Sequence, residues 1–164
     1  MEQNKTQYVL GLLRLMMGWI FLWAFIDKLF GLGFATTPDK AWLAGVSPTS
    51  GFLQFAVHGP FAGFYQSLSG IPLVDWLFMI GLLFIGVAFI SGIFMRLAGF
   101  SGIIMLFLMY TAIGLYPANN PFIDEHIVYI IVIIILVLTN SGQFLGLGKR
   151  WANTSLVQKY KFLK

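Results

Sequence analysis

Four stretches of about twenty apolar residues, each nearly free of charge, dominate this chain of 164 residues. They run over 8–29, 72–94, 97–116 and 121–139. A helix rising ~1.5 Å per residue crosses a ~30 Å hydrocarbon core in that length. It also satisfies its own backbone, which lipid cannot do for it. Hydrophobic residues make up 59% of the chain and charged residues 10%, whereas soluble domains run near 25% charged. A soluble fold could not hide so much apolar surface. The sequence therefore predicts an all-α protein, an integral membrane four-helix bundle forming a single domain over 1–164.

The connections differ in kind. Residues 91–96 and 117–120 are tight turns, so the second to fourth spans should form an up-down series. The first connection, 30–71, is long, and loops of that length usually have a function. It holds Trp42, Phe52, Phe55, Phe61, Phe64 and Tyr65, which is not a disordered composition. Thr37, Pro38 and Asp39 read as a helix start closed by Gly45, and Gly59-Pro60 opens a second short piece closed by Gly70. The expectation is a structured extracytoplasmic loop, a lid of short amphipathic helices with aromatics at headgroup level.

Charge placement sets the orientation. With four spans, one side carries Lys5, Arg14, Arg96, Lys149, Arg150, Lys159, Lys161 and Lys164 against Glu2. The other carries Asp27, Asp39, Asp75, Asp124 and Glu125 against Lys28 and Lys40. The positive-inside rule makes both termini cytoplasmic, in a multi-pass protein of the cell membrane with a basic tail over 146–164. The isoelectric point of about 9.5 then reflects topology and contact with anionic lipid, not nucleic acid. Lys5 and Arg14 ahead of residues 15–26 also resemble a secretory signal, with Gly31 and Gly33 as small residues for a peptidase. The segment is read as a retained span.

The polar groups are few enough to weigh singly. There is no cysteine, so disulfide and dithiol chemistry are excluded, and redox work must use a quinone, another cofactor or a partner. Arg14 either snorkels to the near interface or projects inward with Gly18, Phe21, Phe25 and Lys28. Inward, it would pair with Asn140 or hold an anionic head group. Asp27 is poorly placed for the dipole at a helix C-terminus, whereas Lys28 suits it.

The triplet Asp124-Glu125-His126 follows Asn119-Asn120-Pro121, which reads as an N-cap and first-turn proline with helpful acids behind it. His126 is harder to explain by capping. A helix start disfavours a cation, and a neutral imidazole both donates and accepts hydrogen bonds, which suits a quinone carbonyl. It shares a face with Tyr129, Ile130 and Ile133, and Tyr110 lies near the same level. His58 reads as a solvated loop residue. No metal is expected, because two lone histidines lack ligand spacing. Gly81, Ile85, Ala88 and Gly92 on the second span, and Gly99, Gly102 and Leu106 on the third, are stripes for close helix packing.

These residues resemble the DoxX/DoxD family of four-helix membrane proteins, which includes the membrane subunit of thiosulfate:quinone oxidoreductase. The resemblance rests on Leu13-Arg14-Leu15 with Gly18-Trp19, and on Trp23-Ala24-Phe25-Ile26-Asp27-Lys28-Leu29-Phe30-Gly31. It continues through Lys40-Ala41-Trp42-Leu43, Gly45-Val46-Ser47-Pro48-Thr49-Ser50-Gly51-Phe52, Gly59-Pro60-Phe61 and Val74-Asp75-Trp76-Leu77 to the triplet. It spans essentially the whole chain, and the long first loop favours the DoxD-like branch.

The resemblance implies thiosulfate oxidation outside the cytoplasm with electrons passed to membrane quinone, and a second small subunit as partner. The family supplies no catalytic residues, so the expected site follows from placement. His126, Asp27, Asp124 and Glu125 are the catalytic candidates, with Lys28, Tyr110, Asp75 and Tyr129 binding substrate or quinone under the lid. Membrane lipid and a homo-oligomer are further expected contacts. The alternative is a non-catalytic anchor or assembly subunit of a redox or envelope complex. A small transporter fits less well, since neither an inverted repeat nor a broken helix is evident.

Overall fold

The computed structural model describes residues 2–113, 117 and 121–163, with side chains from residue 5 onward. Among the described residues the fold is all-helical. The long helices are α1 (Glu2–Phe30), α4 (Pro72–Ser91), α5 (Met95–Ala112) and α6 (Glu125–Leu138). Two short helices, α2 (Ser50–Phe55) and α3 (Ala62–Ser67), lie in the first connection, and two more, α7 (Gly148–Ala152) and α8 (Ser155–Lys159), follow α6.

Among the described residues, three helices are long and apolar enough to cross a membrane: Lys5–Phe30 with 26 residues, Pro72–Ser91 with 20 and Met95–Ala112 with 18. Their outward faces are apolar, as lipid requires. Leu12, Met16 and Trp19 of α1, Trp76, Leu77 and Ile80 of α4, and Phe100 and Phe107 of α5 are all more than half exposed. The chain is a membrane protein on this ground.

The fourth helix corrects the sequence reading. It starts at Glu125, not Pro121, and its N-cap is Asp124. The Asp124 carboxylate accepts from the backbone N–H of His126 (3.0 Å) and Ile127 (3.2 Å), which satisfies orphan donors of the first turn. Phe122, with φ of 70°, cannot belong to a right-handed helix. Asn119 and Asn120, read as the cap, lie outside the described residues, as does most of the 117–120 turn. At 14 residues α6 rises about 21 Å.

Other boundaries follow local chemistry. α4 has Pro72 in its first turn and ends at Ser91, before Gly92 in the left-handed region at φ 78°, three residues short of the predicted 94. α1 begins well before residue 8. The Thr37–Gly45 signal forms two 3-10 turns, Pro38–Lys40 and Trp42–Ala44, in place of a helix.

Helix α1 packs on α4, α4 on α5, and α5 on α6. Shared core residues include Met17, Phe21, Met79, Ile85, Phe89 and Ile133. Glycines set the approach. A Cβ on Gly18 would meet the Ile90 backbone N at 2.8 Å, and one on Gly86 the Leu22 backbone N at 2.7 Å. Gly99 admits Val137 and Gly102 admits Ile133 in the same way between α5 and α6.

The helices thus share two ends. One gathers Arg14, the end of α4, the start of α5 and the segment after α6. The other gathers Asp27, residues 31–71, the start of α4 and the start of α6. At that second end Leu53, Val57 and Tyr65 pack on Ala112. The Tyr65 hydroxyl shares a 2.6 Å hydrogen bond with Thr111 Oγ1, and His58 N–H donates to the Ala112 carbonyl at 3.1 Å.

Candidate functional site

Asp124 and His126 form the most chemically distinctive pair. With Asp124 Oδ1 capping the helix, Oδ2 lies 2.7 Å from His126 Nδ1. The side chains are 5% and 11% exposed, respectively, so the carboxylate fixes a shielded ring. A hydrogen bond at Nδ1 sets the tautomer and orientation of an imidazole and leaves Nε2 as the nitrogen that can meet a ligand.

Glu125 is exposed. One donor atom from each of Asp124, Glu125 and His126 falls within a 4.8 Å cluster. Both Asp124 oxygens already serve the helix cap and the ring, however, so this acidic helix start explains itself without an ion.

Tyr110, 7% exposed on α5, donates its hydroxyl to the Phe122 carbonyl at 2.9 Å. That carbonyl belongs to the left-handed residue before α6, so Tyr110 fixes the approach to the Asp124–His126 pair. To donate to a ligand its hydroxyl would have to leave Phe122. Tyr129 is half-buried against the main core.

The remaining predicted residues have separate work. Asp27 is 1% exposed, and its carboxylate accepts from Phe34 N–H (3.3 Å) and Ala35 N–H (3.0 Å). It thereby folds the chain back over the end of α1, so its unfavourable dipole position is offset by two amide donors. Lys28 beside it is half-buried. Asp75, 8% exposed, accepts from Ser47 Oγ at 2.7 Å and Thr49 Oγ1 at 2.5 Å. Ser50 adds its N–H and hydroxyl to Ser47 Oγ at 3.0 and 2.8 Å. This network ties the first connection to α4. His58 is exposed, as expected, with Nδ1 3.0 Å from the Ala56 carbonyl. Asp39 is fully exposed, and hydrogen bonds from the Thr37 hydroxyl and the backbone hold its carboxyl below the usual carboxylate range.

No protein-family model, curated protein or solved structure matches this chain. Its chemistry must be read from its own geometry.

Arg14 answers one open alternative. It is 0% exposed and does not snorkel. Its Nη1 donates to the Phe89 and Ile90 carbonyls, the latter at 3.0 Å, and its Nη2 to the Phe144 and Leu145 carbonyls at 2.9 Å each. Among the described residues, neither Asn140 nor a carboxylate is its partner. The cation sits against the negative end of α4 and closes the segment after α6 onto it. Leu145 adopts a left-handed φ of 51° to present its carbonyl.

Two features escaped the sequence reading. The Ser47–Thr49–Asp75 network was not anticipated, although hydroxyls clustered at Ser47-Pro48-Thr49-Ser50 were the available signal. A cavity of about 550 Å³ lies at the Arg14 end, lined by Arg96, Gln143, Lys149, Asn153, Gln158 and Lys161 with Val157 and Ala152. Its lysines had been read as topology markers in contact with anionic lipid, without a cavity.

Proposed function

We propose that this protein is the membrane subunit of a quinone-linked oxidoreductase of the DoxX/DoxD kind, with the Asp124–His126 pair facing the quinone. In this reading the four long helices form a membrane bundle. The residues before α6 complete its crossing, both termini are cytoplasmic, and residues 31–71 cover the outer end. The observation that carries the proposal is the shielded imidazole held at Nδ1 by a carboxylate, an arrangement suited to hydrogen bonding and proton exchange at Nε2.

With thiosulfate as donor, two thiosulfate ions join through a new S–S bond as tetrathionate and release two electrons. Membrane quinone takes those electrons and two protons to become quinol. His126 would bind a quinone oxygen and pass a proton to it, with Asp124 orienting the ring. Lys28 and Lys40 would draw the anionic donor toward the outer end, and a second small subunit would complete the sulfur chemistry.

The test is thiosulfate-dependent quinone reduction by the purified protein together with its partner. His126→Ala should lower turnover on the order of 100-fold, and Asp124→Asn should lower it less, with membrane insertion unchanged. Unchanged turnover in His126→Ala would remove the assignment. A second reading, a non-catalytic anchor or assembly subunit, is favoured by the engagement of Asp27 and Asp75 in holding the outer loops. It predicts partner retention that is indifferent to His126.

A further inference from the structure

The 550 Å³ cavity at the Arg14 end is unrelated to the Asp124–His126 pair and has a chemistry of its own. Three cations line it, Arg96, Lys149 and Lys161, together with the amides Gln143, Asn153 and Gln158 and, among the described residues, with no acid. Its floor is Val157, 2% exposed. The walls are built and held. Arg96 Nη1 donates to the Lys161 carbonyl at 3.3 Å, and Trp151 Nε1 to the Leu163 carbonyl at 2.7 Å. The Trp151 ring also packs, tilted at 54°, against Phe94, with centroids 4.6 Å apart, immediately before α5.

A cavity of this size accommodates a small polar molecule. Convergent cations with neutral amide donors select a phosphate-bearing anion. Position identifies its source. Arg96 stands in the first turn of α5, a helix long and apolar enough to span a membrane. The segment that closes the cavity also exposes Leu156 at 48%, Tyr160 at 43% and Phe162 at 61%. Apolar side chains beside a cationic recess at a helix end are what a lipid headgroup meets when its tails continue into the bilayer.

We propose that this cavity binds the phosphate headgroup of an anionic phospholipid. The site does not depend on the quinone reading.

The full chain is placed in nanodiscs of phosphatidylcholine containing phosphatidylglycerol, and the lipids it retains on release are counted by native mass spectrometry. The wild type should retain phosphatidylglycerol roughly tenfold above its bulk proportion. K149Q/K161Q should return retention to the bulk proportion. R150Q/K159Q loses equal charge outside the cavity and should stay within about twofold of the wild type. The altered side chains are all exposed, and size-exclusion elution confirms that each variant is folded. If K149Q/K161Q fails that check, R96Q takes its place.

Equal loss in both double variants would mean diffuse surface attraction and would overturn the site. Absence of phosphatidylglycerol enrichment in the wild type would overturn it too. If sn-glycerol 1-phosphate bound with no preference among lipids, the cavity would belong to a soluble anion and the lipid assignment would fall.

Discussion

Replacing Arg14 by lysine should destabilise the protein although it conserves the charge. The two terminal nitrogens of Arg14 serve two separate pieces of chain. Nη1 serves the Phe89 and Ile90 carbonyls of α4, and Nη2 serves those of Phe144 and Leu145 after α6. A single ammonium nitrogen cannot occupy both positions. One pair of carbonyls is therefore left without its donor in a site where Arg14 is fully buried.

Each buried acceptor left unpaired costs about 1–3 kcal/mol, and competition for partners in the unfolded state pulls the figure toward the lower end. The loss is then about 3 kcal/mol for two carbonyls. At ~2–4 °C per kcal/mol for a chain of this size, the unfolding midpoint falls by roughly 6–12 °C. Fluorescence-monitored thermal unfolding in mild detergent measures it, and Arg14→Met, which removes both sets of donors, should fall further. A snorkelling arginine would tolerate lysine without loss. An Arg14→Lys midpoint equal to that of the wild type would refute the buried-fork argument.

Gly148→Ala places a Cβ 2.7 Å from the Gly92 carbonyl oxygen and against the Gly142 carbonyl. Because both neighbours are backbone, the segment must separate from α4, and the melting midpoint should drop by about 2–12 °C. Gly51→Ala, with nothing within 4 Å, is the control and should not lower it; equal effects would discount the close approach. Asp75→Ala removes the acceptor of Ser47 and Thr49 and should speed amide exchange over 47–53 by roughly tenfold or more. The interior of α4 should be unaffected, and unchanged exchange over 47–53 would show that Asp75 does not anchor the first connection.

Three of the four expected spans were legible because uninterrupted apolarity at helical length has few other uses. The start of α6 was not. Pro121 and Asn120 are good helix-start residues, yet the carboxylate of Asp124 can cap the N–H groups of His126 and Ile127 directly, and Phe122 leaves the helical region. The site was legible in part. His126 stood out because a helix start does not explain an imidazole, and its hydrogen bond to Asp124 is local enough to follow from a two-residue spacing. The partners of Asp27 and Asp75 lie 7 to 28 residues away. The Asp75–Ser47–Thr49 network in particular depends on how the first connection returns over α4.

What the sequence alone determined is the solvent of this protein. Lipid tolerates only backbones that bond to themselves, so apolar runs of this length must be helices, and glycines spaced along them let those helices approach. Only the tertiary structure decided what the few polar side chains do. Arg14 was read with the alternatives of snorkelling, pairing with Asn140 or holding an anionic head group, and it closes four carbonyls from two distant segments. The basic residues after α6 were read as topology markers in contact with anionic lipid, and two of them, Lys149 and Lys161, converge with Arg96 on one cavity. A charge in a low-dielectric surrounding takes its role from the groups brought within about 3 Å of it, and chain folding chooses those groups from positions as far apart as 14 and 145.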